Sequence, residues 1–217
     1  MVLLSPSIGG INRLLKICER YAIEHGLEYN VSKCKYMIFK CNSKIFNHQD
    51  CPPPLLNGVP LSRVTKFKYL GHVVIDTLSD EEDIERERRA LSIRGNMLVH
   101  RFARCTAPVK ITLFKAFCQT FYTCGLWASF TQRTYGALRV LYNNIFRSLL
   151  RLPRYCSASG MFADAGVDDF YAIMRKKVAS VVHRVRESRN GVLKMIAERI
   201  DSALLRRLTE LHVRVAR

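Results

Sequence analysis

The sequence predicts an α+β protein, with a small mixed unit over residues 1–78 followed by a basic, mostly helical unit over residues 79–217. Three observations carry this expectation. Short runs of β-type residues, broken by turn residues, fill much of the stretch before residue 78. Ser79-Asp80-Glu81-Glu82 has the form of a capping box, with Ser at the cap and Glu close behind it. From there apolar residues recur at helical steps almost to the end.

Each element follows from local chemistry. Ile11, Leu14, Leu15, Cys18, Ala22 and Ile23 recur at steps of three and four, an amphipathic helix, and Gly26 is its natural stop. Cys34 to Lys40, rich in Tyr, Ile and Phe, predicts a strand. Asp50 to Pro54 is a proline-rich loop, because proline lacks the N–H that regular structure needs. Asn57-Gly58 predicts a tight hairpin turn, with Leu55-Leu56 and Val59 to Val64 as its arms. Tyr69 to Ile75 reads as one more strand. Helices are expected at 80–105, 108–127, 132–151, 168–187 and 190–213, with breaks at Pro108, Pro153 and Gly191 and a short helix flanked by Gly160 and Gly166.

Charge is concentrated in the second half. The formal net charge is +17 over 217 residues. Residues 1–93 carry 13 Lys/Arg against 11 Asp/Glu, a net of +2, while residues 94–217 carry 22 against 7, a net of +15. Such an excess points to a polyanionic partner and away from a small-molecule enzyme; the structural alternative is a set of Arg-rich solvated helix faces. Hydrophobic residues make up 48% of the chain, enough for a buried core. No apolar run approaches the roughly 20 residues of a membrane span, and the N-terminus has no signal-peptide pattern, so a cytoplasmic or nuclear location is expected.

Eight cysteines stand at 18, 34, 41, 51, 105, 118, 124 and 156 without Cys-x-x-Cys spacing, and are expected to be reduced. Cys41, His48 and Cys51 are a loose cluster with no fourth zinc-type ligand. Cys18, Cys118 and Cys124 read as small core residues. Asp168-Asp169 and the acids at 80–83 read as helix-start residues that complement the dipole.

Gly26-Leu27-Glu28-Tyr29-Asn30-Val31-Ser32-Lys33 leads into Cys34-Lys35-Tyr36-Met37-Ile38-Phe39, and Phe67-Lys68-Tyr69-Leu70-Gly71 follows about thirty residues on. Phe121-Tyr122-Thr123-Cys124-Gly125-Leu126-Trp127, then Arg147 to Arg154 and Ser157 to Phe162, come later in the chain, followed by Asp169-Phe170 and Arg175-Lys176. In order and spacing these segments resemble the reverse transcriptases of non-LTR retrotransposons, of the long-interspersed-element, jockey-like type. The resemblance implies the end of a palm domain, a primer-grip hairpin and a helical thumb. For the complete enzyme it implies RNA-directed DNA synthesis with magnesium.

By the same resemblance, Lys33 would lie near the phosphates of an incoming nucleotide, and Tyr69, Leu70 and Gly71 would form the primer grip. The glycine would let the backbone come close to the primer strand. Arg94, Arg101 and Arg104, at spacings of seven and three, would line a duplex-holding groove through phosphate contacts. Arg175, Lys176 and Lys177 would form a second basic patch, together with Arg184, Arg186 and Arg189. Tyr135, Tyr142 and Tyr155 read either as base-stacking residues or as half-buried packing residues, and Trp127 as a core anchor.

The family's Tyr-Ala-Asp-Asp turn is missing from the sequence; Met1 to Ser5 resembles the strand that follows that turn, so the metal-binding aspartates would precede Met1. No catalytic residue, metal site or cofactor is therefore assigned within the chain, and no polymerase activity is expected of it alone. Expected partners are RNA, RNA–DNA hybrid or DNA, together with an N-terminal palm and fingers portion. Two other readings stay open: a non-catalytic, basic helical nucleic-acid-binding module, and a helical protein whose basic faces meet acidic protein partners.

Overall fold

The computed structural model describes residues 1–39 and 51–198, with 202, 205, 206, 208 and 210. The fold is α+β, as the residue pattern predicts. The chain divides into two compact units, one formed by Met1–Phe67 with Val74–Leu78, the other by Lys68–Val73 with Ser79–Arg217.

In the first unit, helix α1 (Ile8–Glu24) starts at Ser7, whose side chain accepts a hydrogen bond from the Gly10 N–H. It stops where Gly26 takes a φ of 63°, allowing the Leu27 N–H to reach the Ala22 carbonyl at 2.8 Å. Leu15 of α1 packs with Leu56 and Leu61 in a small core, while Ile17, Tyr21 and Ile23 on the same helix are exposed.

The Asn57-Gly58 turn forms as expected: β2 (Leu55–Leu56) pairs antiparallel with β3 (Val59–Pro60), and both turn residues have positive φ, 52° and 74°. The arm expected over 59–64 is broken, because Pro60 has no N–H with which to continue a ladder. After Leu61 the chain changes partner, and β4 (Ser62–Arg63) runs parallel to β1 (Lys35–Tyr36). The strand expected over 34–40 is therefore only two residues long; Lys40 lies outside the described residues, as do Cys41 and His48 of the loose Cys/His cluster.

The single strand expected over 69–75 is instead a hairpin, β5 (Lys66–Tyr69) and β6 (His72–Ile75), reversing at Leu70-Gly71 with φ of 46° and 84°. Leucine is an unusual residue at positive φ, and the turn forms although Leu70 offers none of glycine's freedom. Residues 68–73, the hairpin tip, belong to the second unit.

The second unit is helical: α2 (Glu81–Arg101), α3 (Ala107–Cys118), α4 (Gln132–Leu150), α5 (Ala158–Asp164), α6 (Phe170–Arg186) and α7 (Gly191–Glu198). Pro108 opens α3 rather than breaking a helix, since the first turn needs no N–H partner for it. Gly160 lies inside α5 rather than at its edge. The expected helix over 108–127 ends at Cys118, and a single 3-10 turn, Cys124–Leu126, follows. The remainder of the helix expected over 190–213 falls partly outside the described residues. No helix of the described residues is long and apolar enough to cross a membrane.

An aromatic core holds this unit. Phe114, Phe121, Tyr135, Tyr142, Phe146, Phe162 and Phe170 are almost fully buried and meet one another at ring-centroid distances such as 4.8 Å for Phe114–Phe146 and 5.2 Å for Tyr142–Phe162. Helix α2 comes unusually close to α4 at Gly95, where a Cβ would stand 2.6 Å from Cγ1 and 2.8 Å from Cγ2 of buried Ile145. Gly95→Val should overpack this crossing and lower stability by about 1–3 kcal/mol, read as a lower urea midpoint at unchanged slope. An unchanged midpoint would mean that the two helices separate freely.

Candidate functional site

Helix α2 starts differently from the capping box read in the sequence. Asp80 occupies the cap position without capping the helix through its side chain. Its carboxylate instead accepts from the Ala128 and Ser129 N–H groups at 2.7 and 2.8 Å, while Ser79 Oγ accepts weakly from the Glu81 N–H at 3.4 Å. Burial disfavours the charged form of Asp80 and outweighs these two hydrogen bonds, so its carboxyl titrates above the usual range.

Asp83 lies in the first turn of α2, as expected of a helix-start acid, but it is also fully buried. Its Oδ1 accepts from Arg86 Nε at 2.7 Å and from the Val73 N–H at 2.9 Å; Oδ2 accepts from Trp127 Nε1 at 2.8 Å and Thr123 Oγ1 at 2.9 Å. His72 Nδ1 lies 3.0 Å from Oδ2, close but not aligned as a hydrogen bond. Burial alone would raise this carboxyl; the His72 ring, Arg86, Trp127 and the Val73 N–H outweigh it and hold the group far below the usual carboxylate range. Glu87, a turn later and 1% exposed, accepts from Arg86 Nη1 at 3.2 Å and pairs with Arg94 Nη2.

The result is a single carboxylate joining three segments of the second unit: the hairpin tip through His72 and Val73, helix α2 through Arg86, and the chain after α3 through Thr123 and Trp127. Thr123 takes a left-handed φ of 64° so that its hydroxyl and the Trp127 indole both reach Asp83. Gln119, just past the helix end, donates to the Tyr142 hydroxyl at 3.1 Å, and that hydroxyl donates to the Asp168 carbonyl at 2.8 Å.

The hairpin tip itself faces solvent. Leu70 is 72% and Tyr69 39% exposed, with Lys68 exposed beside them. The room that Gly71 leaves by lacking a Cβ is filled by the ring of Tyr122, whose Cε1 and Cδ1 would stand 2.7 and 3.2 Å from that atom.

The other site residues are distributed. Lys33 is exposed at the end of a 3-10 turn, Val31–Lys33, in the first unit, where Asn30 Oδ1 accepts from its backbone N–H. Of the three arginines expected on one groove face, Arg94 is half-buried on Glu87, Arg101 is exposed at the last residue of α2, and Arg104 lies beyond that helix and is exposed. Arg175, Lys176 and Lys177 are all exposed on α6, and Lys176 Nζ holds Asp168 at 2.6 Å. Tyr135 and Tyr142 are 1% and 0% exposed, so they are core residues and not base-stacking ones; burial pushes both phenols up. Tyr155 is exposed. Cys118 and Cys124 are buried, with their thiols pushed up to about 12 by desolvation, which makes them inert packing residues.

Several carboxylates of the second unit are already engaged within the fold. Asp83 and Glu87 are saturated by cationic and N–H donors, Asp169 caps α6 by accepting from the Ala172 N–H at 2.6 Å, and Asp168 pairs with Lys176. Among the described residues no group of three or more His, Cys, Asp or Glu side chains could hold a metal ion. The signal for the buried pair was present in the sequence: Asp83, Glu87 and Leu91 recur every four residues, beside Ile84 and Leu98, on what becomes the covered stripe of α2.

Compared with known proteins, the chain is 23% identical over 206 residues to the RNA-directed DNA polymerase from mobile element jockey of Drosophila funebris, an alignment covering 91% of this chain and 20% of that polymerase. The chain thus spans about one fifth of the length of the curated relative it matches. No family model matches, and neither does any solved structure. The similarity extends over nearly the whole sequence, and the relationship it supports is with the reverse transcriptase of a mobile element.

Proposed function

We propose that this chain is part of a retrotransposon reverse transcriptase, comprising the end of the palm, the primer-grip hairpin and the thumb, and that it holds RNA or RNA–DNA hybrid without catalysing synthesis alone. The observation that carries this reading is the hairpin tip. Tyr69 and Leu70 are presented to solvent, yet the turn behind them is tied to the buried Asp83 carboxylate through the Val73 N–H and the His72 ring. An exposed apolar tip on a rigid mount suits a surface that steers a strand rather than one that merely packs.

The basic helical half supplies the attraction. The net charge of +15 over residues 94–217 and the exposed Arg101, Arg104, Arg175 and Lys177 suit phosphate contacts that position a duplex without reading its sequence. Catalysis by two divalent ions needs clustered carboxylates, and the sequence contains no Tyr-Ala-Asp-Asp run.

The test is a titration of the 217-residue protein with an RNA–DNA hybrid at several salt concentrations, together with primer extension in magnesium. Binding should weaken linearly on a log–log plot with a slope of about −0.9 per phosphate neutralised, and unrelated hybrid sequences should bind alike. Primer extension should be absent. Magnesium-dependent synthesis by the purified chain would overturn the inactivity, and salt-independent or absent binding would overturn the role.

A further inference from the structure

We infer that Tyr122 is the second half of the grip: its ring, lying over Gly71, stacks on a nucleoside of the strand that the hairpin tip receives. This rests on the nucleic-acid reading above. Gly71 has a φ of 84° and no side chain, and on the side where a Cβ would project lies the Tyr122 ring, with Cε1, Cδ1 and Cζ at 2.7, 3.2 and 3.6 Å from that position. A strand that approaches the glycine from this side meets an aromatic ring before it meets backbone.

That ring is available and held. Tyr122 is 56% exposed, although one side of it is against the turn. Its neighbour Thr123 is locked in the left-handed region and bonded to Asp83, the carboxylate that also holds Val73 and Trp127. So the residue that carries the ring and the turn that lies against it are referred to one buried group. An exposed aromatic fixed in this way loses little freedom on binding, which is what a stacking platform needs. Lys68, Tyr69 and Leu70, the three residues before Gly71, are exposed as well. The exposed ring favours a nucleic-acid strand as the occupant over an acidic peptide, because every base offers a face for stacking, and the excess positive charge of residues 94–217 suits its phosphates.

The experiment titrates the 217-residue protein with an RNA–DNA hybrid carrying 2-aminopurine at the DNA 3′ end, comparing wild type with Tyr122→Phe and Tyr122→Ala. Tyr122→Phe should bind within about twofold of wild type. Tyr122→Ala should bind about tenfold more weakly at fixed salt and lose the fluorescence change, while its salt slope stays the same because no phosphate contact is removed. Wild-type protein irradiated with a 5-iodouracil-substituted hybrid should crosslink within residues 119–127, a readout that does not depend on the folding of any variant. Equal binding and fluorescence by Tyr122→Ala, or crosslinks only elsewhere, would overturn the role of Tyr122 while leaving the nucleic-acid reading intact. Failure of the wild type to bind any hybrid would overturn both.

Discussion

Replacing Asp83 with alanine will destabilise the helical unit by about 3–5 kcal/mol, the range for removing one partner of a buried charge network. The change removes one carboxylate but leaves four donors without it: the Arg86 guanidinium, the Trp127 indole N–H, the Thr123 hydroxyl and the Val73 N–H. Arg86 keeps Glu87, but the indole and the Val73 N–H are buried and have no substitute in view, so each carries its own desolvation cost. Trp127, the single tryptophan of the chain, reports unfolding by fluorescence, and far-ultraviolet circular dichroism checks that the whole unit follows. A urea midpoint within error of wild type would show that the carboxylate holds nothing in place.

The same residue sets an acid dependence. Asp83 ionises far more readily in the folded protein than in the unfolded chain, where an aspartate titrates near about 3.9. Its contribution is therefore fully present above that value and is lost progressively as the pH falls below it. Asp80, whose carboxyl is raised, works in the opposite sense and softens the loss. The stability difference between wild type and Asp83→Ala should be constant from pH 7 to about pH 5 and shrink below about pH 4. A difference that grew toward acid would reverse the sign argued from the hydrogen bonds.

Phe114→Ala should have a comparable effect, again about 3–5 kcal/mol, for a different reason. The ring is fully buried and meets Phe146 at 4.8 Å, Tyr142 at 5.0 Å and Phe162 at 6.4 Å between centroids, so its loss opens a cavity where α3, α4 and α5 converge. Rigid neighbouring rings collapse poorly into such a space, which places the cost toward the upper end. Phe114→Leu, which refills most of the volume, should cost clearly less. The comparison is made by thermal melts followed at 222 nm, and equal melting temperatures for the two variants would mean that the aromatic cluster is loosely packed. Unlike Asp83→Ala, neither variant should alter the dependence on pH.

What could be read from residues in order was what depends on residues close in sequence. The Asn57-Gly58 turn forms because both positions tolerate positive φ. Asp169 caps α6 because an acceptor there meets the N–H three residues on. Helix α4 runs almost where its apolar spacing puts it, over Gln132–Leu150. The α+β class follows from such local rules added together. The strand lengths did not: a strand extends only as far as its partner, and β1 finds two residues of β4.

The candidate site was legible at the hairpin and obscure behind it. Tyr69, Leu70 and Gly71 stood out by their order, but the neighbour that fills the space at Gly71 is Tyr122, about fifty residues away. The spacing of Asp83, Glu87 and Leu91 puts them on one helix face, but spacing cannot tell a solvated carboxylate from one surrounded by donors brought from residues 72, 73, 123 and 127. Turn and cap chemistry is decided within four residues and is written in the chain. Which helix face is covered, and whether a buried charge finds its partners, depends on surfaces far apart in sequence meeting in space, and so only the folded arrangement determines it.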